Sequence, residues 1–286
     1  MLDKYTLRMI LAFGSTAQGA AFNAPLAISG AVALLAYAIT ALGPKGDEGA
    51  RLRAGLLLAW LVHAVVIAID TSGAGAPSMG ARFGFAPALS VTLWLVIGVY
   101  LVESRSLPLG GVRRVLAVLG AATMVLALAF PGEVHPHAGA RWVPLHWVLG
   151  IASYGLFGAA VLHAALLSRA DRQMRHLPVG AAASPAPLGL PLLRLERLTF
   201  RFVAAGFAVL TAALVLGWWF ANPWRWDHKT VFSILGWAVF AALLVGRRAF
   251  GWRGPHALRW LYAGAGLLLL AYVGSRFVLE VVLHRS

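Results

Sequence analysis

The segment Gly217–Thr230 holds the densest set of residues in this chain that could bind a ligand. It contains four tryptophans, one carboxylate, one histidine and two cations, and it lies between two long apolar runs. Because Pro223 cannot continue a helix, we predict a loop or short turn at a membrane boundary. Tryptophan alternates with charge in the run Trp224-Arg225-Trp226-Asp227, and Lys229 follows closely. This pattern favours a flat, apolar, anionic ligand that stacks on the indole rings and whose carboxylates bind Arg225 and Lys229.

Tryptophans at a membrane boundary also have a structural interpretation. Indole rings prefer the headgroup level of a bilayer and form aromatic belts there. Two features count against this alternative here, namely the alternation of the rings with charged residues and the presence of Asp227, which is a poor membrane anchor.

Ionisable residues inside apolar runs form a second group of candidates, because charges in membrane spans are costly and usually functional. His63 is predicted to lie roughly 9 Å below the outer end of its span, and His146 just inside the outer end of another. Both could share a site with the tryptophan-rich segment, whereas His163 lies roughly 25 Å deeper than His146 and is excluded. The alternatives are a hydrogen bond from His63 to a neighbouring helix and an interfacial position for His146. Arg276 is predicted to pair either with Glu280, four residues later, or with a carboxylate of the ligand.

The composition indicates an integral membrane protein. Of the 286 residues, 60% are hydrophobic and only 12% are charged, whereas soluble domains carry about 25% charged residues. The chain has no cysteine, which excludes disulfides and thiolate metal sites.

Apolar runs of sufficient length predict an all-α protein with about eight transmembrane helices. The predicted spans are Ala24–Leu42, Leu52–Ile69, Phe85–Val102, Val115–Phe130, Pro144–Ser168, Phe202–Phe220, Val231–Val245 and Ala257–Leu283. Residues 1–23 are predicted to form an interfacial helix. A basic, Pro- and Ala-rich connection, residues 169–201, would separate a front half of five spans (24–168) from a back half of three (202–286).

The distribution of positive residues predicts the orientation, because Lys and Arg in short loops are retained on the cytoplasmic side. Sixteen of the 24 Lys and Arg residues fall in odd-numbered connections and four in even-numbered ones, with the remaining four near the chain ends. Both termini and the tryptophan-rich segment are therefore predicted to face outward. The net charge of +14 would then serve topology and contact with anionic membrane lipids rather than binding of nucleic acid.

The run Trp224-x-Trp226-Asp227, followed by Lys229, resembles the tryptophan-rich WWD signature of the cytochrome c assembly protein family. These are membrane haem-handling proteins that include CcsA and CcmC. Phe220-Ala221 stand where the fuller family pattern has Trp-Gly. The downstream runs Gly251–Gly254 and Leu270–Arg276 resemble the eight-helix, HemX-like branch.

The resemblance implies non-covalent binding of haem b at the outer leaflet of a bacterial inner membrane, without enzymatic turnover. His146 and, second, His63 would ligate the iron, with Trp224 and Trp226 as walls for the porphyrin and Asp227 ordering the loop. Arg225, Lys229 and Arg276 would bind the haem propionates. The implied partners are haem, other cytochrome c maturation proteins and apocytochrome.

Three alternatives remain at this stage. HemX-like relatives suggest a regulator of haem biosynthesis with a cytoplasmic partner. A redox subunit with b-type haem would need paired histidines at two depths, which His63, His146 and His163 do not make. A transporter would need broken helices or charges at the membrane midplane, and the predicted spans have neither.

Overall fold

The computed structural model of the protein describes residues 24–43, 50–72, 81–104, 110–135, 142–175, 192–220 and 226–282. The predicted interfacial helix at residues 1–23 lies outside the described residues, as do Trp224 and Arg225.

The described residues confirm the predicted all-α fold, with eight helices long and apolar enough to cross a membrane. The first seven are α1 (Ala24–Leu42), α2 (Ala50–Ser72), α3 (Phe85–Glu103), α4 (Gly110–Ala129), α5 (Val143–Arg175), α6 (Leu192–Phe220) and α7 (His228–Phe250). The eighth span, Gly254–Val282, begins as the α-helix α8 (Gly254–Leu269).

The C-terminal part of the eighth span departs from α-helical geometry. A π-helical segment, Leu270–Gly274, follows α8 and leads through one α-turn, Ser275–Phe277, into a second π-helical segment, Val278–Val282. In a π-helix each N–H bonds to a carbonyl five residues back, which widens the turn. The sequence pattern predicts a continuous helix here and gives no sign of this change.

Helices α5 and α6 extend beyond the predicted spans Pro144–Ser168 and Phe202–Phe220. The added residues of α5 are mostly polar, and those of α6 mix leucine and phenylalanine with arginine and glutamate, so a search for uninterrupted apolar runs stops short of them. Backbone hydrogen bonding continues through them. Helix α5 thus continues to Arg175, and α6 begins at Leu192.

A short pair of antiparallel strands links two connections at one end of the helices. Strand β1 (Ala81–Phe83) pairs with β2 (Glu133–His135), with Ala81 opposite His135. This end also carries the α6–α7 connection and is called the outer end below, since the charge distribution predicts that it faces outward. The opposite end is called the inner end. The orientation itself stays a prediction.

Two buried apolar clusters hold the helices together. The first joins α1–α4 to the inner ends of α5 and α6 and includes Tyr37, Ile97 and Leu116. The second lies among α5–α8, where Phe157 and Phe240 stack with ring centroids 3.9 Å apart. Helix α5 packs on α3 in front and on α6 behind. The boundary between front and back halves stays a prediction.

Helices α2 and α3 are joined by a reciprocal pair of indole contacts. Trp60 Nε1 donates to the Trp94 carbonyl at 2.9 Å, and Trp94 Nε1 donates to the Trp60 carbonyl at 3.0 Å. The two rings stack with centroids 4.9 Å apart. Both indole donors are thus satisfied, which allows two large polar-tipped side chains to pack between spans.

Candidate ligand-binding cavity at the outer end

Three residues singled out in the sequence, His146, Lys229 and Arg276, line one cavity between α3, α5, α6, α7 and the eighth span. Its volume is about 160 Å³. We call it the outer cavity. The other residues that line it are Ala88, Thr92, Trp147, Gly150, Ile151, Ser153, Tyr154, Leu210, Ala213, Leu214, Ser233, Leu268, Tyr272 and Val273.

His146 lies in the first turn of α5 and is held by α6. Its Nδ1 lies 2.9 Å from the Ala213 carbonyl oxygen, which can only accept, so Nδ1 carries a proton. In the neutral form of the ring this tautomer puts the lone pair on Nε2, and a hydrogen bond from Nδ1 to a carbonyl is typical of histidines that ligate metals. Gly217 makes the close approach possible, because a Cβ there would lie 2.9 Å from His146 Cε1.

The cavity carries positive charge from two elements. Lys229, in the first turn of α7, places its Nζ 5.4 Å from the centroid of the Tyr272 ring, within the range of a cation–π contact. Arg276 lies in the single α-turn between the two π-helical segments. No carboxylate is among the described residues that line the cavity. The arrangement therefore suits an anionic ligand.

The widened turn of the eighth span is tied to α5 by Tyr154. The Tyr154 hydroxyl donates to the Leu268 carbonyl, two residues before the first π-helical segment. Tyr272 and Val273 of that segment then face the cavity. The sequence analysis singled out neither tyrosine. The spacing of His146, Gly150 and Tyr154 at intervals of four residues places them on one face of α5, and this spacing could have indicated Tyr154.

Asp227 caps α7. Its carboxylate accepts a hydrogen bond from the Thr230 amide at 2.8 Å, as expected of an N-cap residue. The preceding Trp226 is 72% exposed, and Trp218 and Trp219 at the end of α6 are also exposed. These indoles present apolar faces beside the cavity-lining start of α7 rather than filling the protein interior.

His63 lies apart from the outer cavity. Its ring is completely buried, with Nδ1 2.9 Å from the Tyr37 hydroxyl and Nε2 2.7 Å from the Ser90 hydroxyl. On α3, Ala88 and Thr92 line the cavity, whereas Ser90 faces His63 on the opposite side of the helix. The structure thus brings His146, Lys229 and Arg276 together but does not bring His63 to them.

His163 is buried near the inner end of α5. Its Nε2 lies 2.7 Å from Glu103 Oε2, and its Nδ1 lies 2.7 Å from the Ala159 carbonyl oxygen. The partner Glu103 ends α3, so the pair joins two spans. Within the described ranges, no group of three or more His, Cys, Asp or Glu residues could hold a metal ion.

Glu280, the predicted partner of Arg276, approaches the start of α3. A Cβ added to Gly84 would lie 3.1 Å from Glu280 Oε2, so the carboxylate reaches the residue before the first helical turn of α3. Helix N-termini favour negative charge. The predicted pairing of Arg276 with Glu280 or with a ligand carboxylate stays a prediction.

The helices and the outer cavity define a polytopic membrane protein with a candidate ligand site, lined by a histidine and two cations, at one end of its spans. The sequence pattern described as Cytochrome C assembly protein matches residues 56–283. This match covers most of the chain, so the protein belongs to the cytochrome c assembly protein family.

Individual relatives match over shorter stretches. The inner membrane protein YpjD of Escherichia coli K12 is 32% identical over 163 residues, which cover 56% of this chain and 60% of YpjD. The cytochrome c biogenesis protein CcsA of Synechococcus sp. JA-3-3Ab is 32% identical over 112 residues, 35% of this chain and 33% of CcsA. CcsA of Prochlorococcus marinus NATL1A is 34% identical over 96 residues, 32% of this chain and 30% of CcsA. No solved structure matches the chain significantly.

Proposed function

We propose that this protein acts in cytochrome c biogenesis as a haem-binding component of a bacterial inner membrane. Haem b would bind non-covalently in the outer cavity and be held there or passed to other maturation proteins or apocytochrome. The observation that carries the proposal is the convergence of His146, Lys229 and Arg276 on one cavity with no carboxylate among its described lining residues. Membership of the cytochrome c assembly protein family supports the same role.

The residues of the cavity fit haem by their chemistry. When bound, haem would supply an iron that a neutral imidazole can ligate and two propionates that cations can hold. His146 meets the first requirement, because its hydrogen bond to the Ala213 carbonyl fixes the tautomer with a lone pair on Nε2. Lys229 and Arg276 meet the second by charge-assisted hydrogen bonds. Trp147 and Tyr272 supply apolar ring surface.

The size of the cavity limits how haem would sit. A volume of about 160 Å³ is smaller than the roughly 300–1,000 Å³ of a site that encloses a drug-sized ligand. The cavity would therefore hold only part of the haem, and exposed tryptophans such as Trp226 would contact the rest. Trp224 and Arg225 stay predicted contributors to that surface. Binding without turnover is proposed, because no substrate-transforming step is needed for these roles.

His63 is a weaker candidate for ligation than His146. Both of its ring nitrogens are within hydrogen-bond distance of hydroxyls, and Ser90 or Tyr37 would have to release it before it could bind iron. A redox subunit with two haems would need such a ligand at a second depth. His163 is similarly engaged, with Glu103 and the Ala159 carbonyl. These contacts favour a single haem site at the outer end.

The test is the absorption spectrum of the detergent-purified protein, oxidised and reduced, for the wild type, His146→Gly and His256→Ala. His256 is an exposed histidine near the start of α8 and serves as the matched control. We expect a Soret band in the wild type and in His256→Ala that is lost or shifted in His146→Gly and restored by added imidazole. A wild type that is colourless and takes up no added haem would overturn the proposal.

A further inference from the structure

The inner end of the back half holds a second, larger cavity, which the proposed haem site does not use. It lies where the end of α5, the start of α6 and the start of α8 meet, and its volume is about 700 Å³. This is within the range of about 300–1,000 Å³ typical of ligand sites. We call it the inner cavity.

One part of the inner cavity is apolar and open to the surroundings of the helices. Leu258 is buried, whereas Leu193 is 70% exposed and Tyr262 is 40% exposed. Exposed apolar side chains on spanning helices face lipid tails. A ligand seated here can therefore keep an apolar part in contact with both the cavity wall and the bilayer.

The polar part of the inner cavity carries charges of both signs. Arg172 and Arg259 bring two cations, and Asp171 and Glu196 bring two carboxylates. Arg172 is oriented by a hydrogen bond of 3.2 Å from its Nε to the Ser168 carbonyl. A ligand that complements this lining carries a negative and a positive group close together.

The carboxylate of Glu196 is held in place from behind. Arg247 Nη1 lies 2.8 Å from Glu196 Oε1, and the Arg247 guanidinium stacks on the Phe200 ring at 3.7 Å from its centroid. A carboxylate fixed by a stacked guanidinium is a pre-organised acceptor, and its second oxygen can take a further donor.

We propose that the inner cavity binds a phospholipid whose headgroup combines a phosphate with a primary ammonium, as in phosphatidylethanolamine. Arg172 and Arg259 contact the phosphate, and Asp171 and Glu196 accept from the ammonium. Leu193, Leu258 and Tyr262 contact the acyl chains. A purely anionic lipid would satisfy the arginines but would offer no N–H donor to Asp171 or to the second carboxylate oxygen of Glu196, whose first oxygen is held by Arg247. A choline headgroup has no N–H to donate to them.

The test is native mass spectrometry of the full-length protein in detergent with equimolar phosphatidylethanolamine, phosphatidylcholine and phosphatidylglycerol of the same acyl composition. We expect the wild type to retain phosphatidylethanolamine at least about threefold over each of the others. Arg259→Ala should lower retention of all three lipids, and Asp171→Asn should remove the preference for the amine. The exposed Arg253, which does not line the cavity, gives the control Arg253→Ala, expected to behave as the wild type.

Equal retention of the three lipids by the wild type would overturn the proposal, as would loss of the preference in Arg253→Ala. Competition by free phosphoethanolamine as strong as that by the lipid would overturn the acyl contribution and point to a soluble ligand. Thermal unfolding of each variant shows whether it is folded. Because the haem spectrum is measured separately, failure here leaves the outer site untouched.

Discussion

The outer and inner cavities lie at opposite ends of the three helices that they share, α5, α6 and the eighth span, and carry different charges. The outer cavity has an imidazole, two cations and no carboxylate among its described lining residues, whereas the inner cavity has two arginines and two carboxylates. The composition of the connections would suggest that the inner cavity is the more positive one, because sixteen Lys and Arg residues fall in the inner connections and four in the outer ones. The total charge of a membrane face therefore says little about the sites built into it. What decides the ligand is which charges reach one cavity.

The largest effect on haem binding is expected from reversing the charge of the outer cavity. In the double variant Lys229→Glu, Arg276→Glu we expect haem affinity to fall about 100-fold or more, since each charge-assisted hydrogen bond is worth about 1.5–3 kcal/mol. Titration with haem measures the affinity. Arg259→Glu, a charge reversal in the inner cavity, is the control and should leave it unchanged. Equal losses in both variants would mean that net charge, not the cavity, attracts haem.

His63 does not line the outer cavity, so a variant at this position tests whether haem binding is confined to the residues that do. In His63→Leu, the buried hydroxyls of Tyr37 and Ser90 lose their hydrogen bonds to the imidazole. We therefore expect the unfolding free energy to fall by about 2–4 kcal/mol. Haem bound per folded molecule should not change. Unfolding in detergent and haem content together check this, with Tyr37→Phe as the milder control. A stable His63→Leu protein without haem would instead make His63 a ligand.

A smaller effect is expected from the residue that lets His146 sit against α6. A methyl group added in Gly217→Ala would lie 2.9 Å from His146 Cε1, so the imidazole must move. We expect haem affinity about tenfold lower and a shifted Soret band, since small misplacements of a binding group are costly. Gly266→Ala is the matched control, because a Cβ there meets nothing within 4 Å. A normal spectrum in Gly217→Ala would count against His146 as the ligand.

The smallest expected effect concerns the cap of α7, which places Lys229 in the outer cavity. Asp227→Ala removes the hydrogen bond to the Thr230 amide and should cost about 1 kcal/mol of stability. Asp227→Asn keeps a capping side chain and should behave nearly as the wild type in thermal unfolding. If Asp227→Asn also loses haem, the charge of Asp227 matters for the ligand and not only for the helix.

The sequence was sufficient for the spans and for three polar residues of the outer cavity. Apolar runs mark what a membrane covers, and the His146, Lys229 and Arg276 positions converge because each falls at the outer end of a predicted span. It was not sufficient for His63, since counting residues along a helix gives the depth of a side chain but not the neighbour it faces. Ser90 and Thr92 illustrate this, because they share one helix and face different sites.

The remaining features depend on contacts between distant parts of the chain. The inner cavity forms where three helix ends meet, and its mixed charge comes from residues that, read along the sequence, form ordinary polar helix ends. The widened turn of the eighth span begins two residues after Leu268, whose carbonyl accepts a hydrogen bond from Tyr154, more than a hundred residues earlier. Local preferences contain no information about either.

The π-helical segments also affect how relatives should be compared. A π-helical turn holds about one residue more than an α-helical turn, so the five residues Leu270–Gly274 rotate the chain roughly as far as four α-helical residues would. A relative that lacks one residue here could therefore form a plain α-helix and still present the residue equivalent to Arg276 to the same face. Two family members whose sequences are offset by one residue in this span can thus present the same side chain to the cavity. A one-residue gap at this place, easily dismissed as alignment noise, would mark the loss of the widened turn.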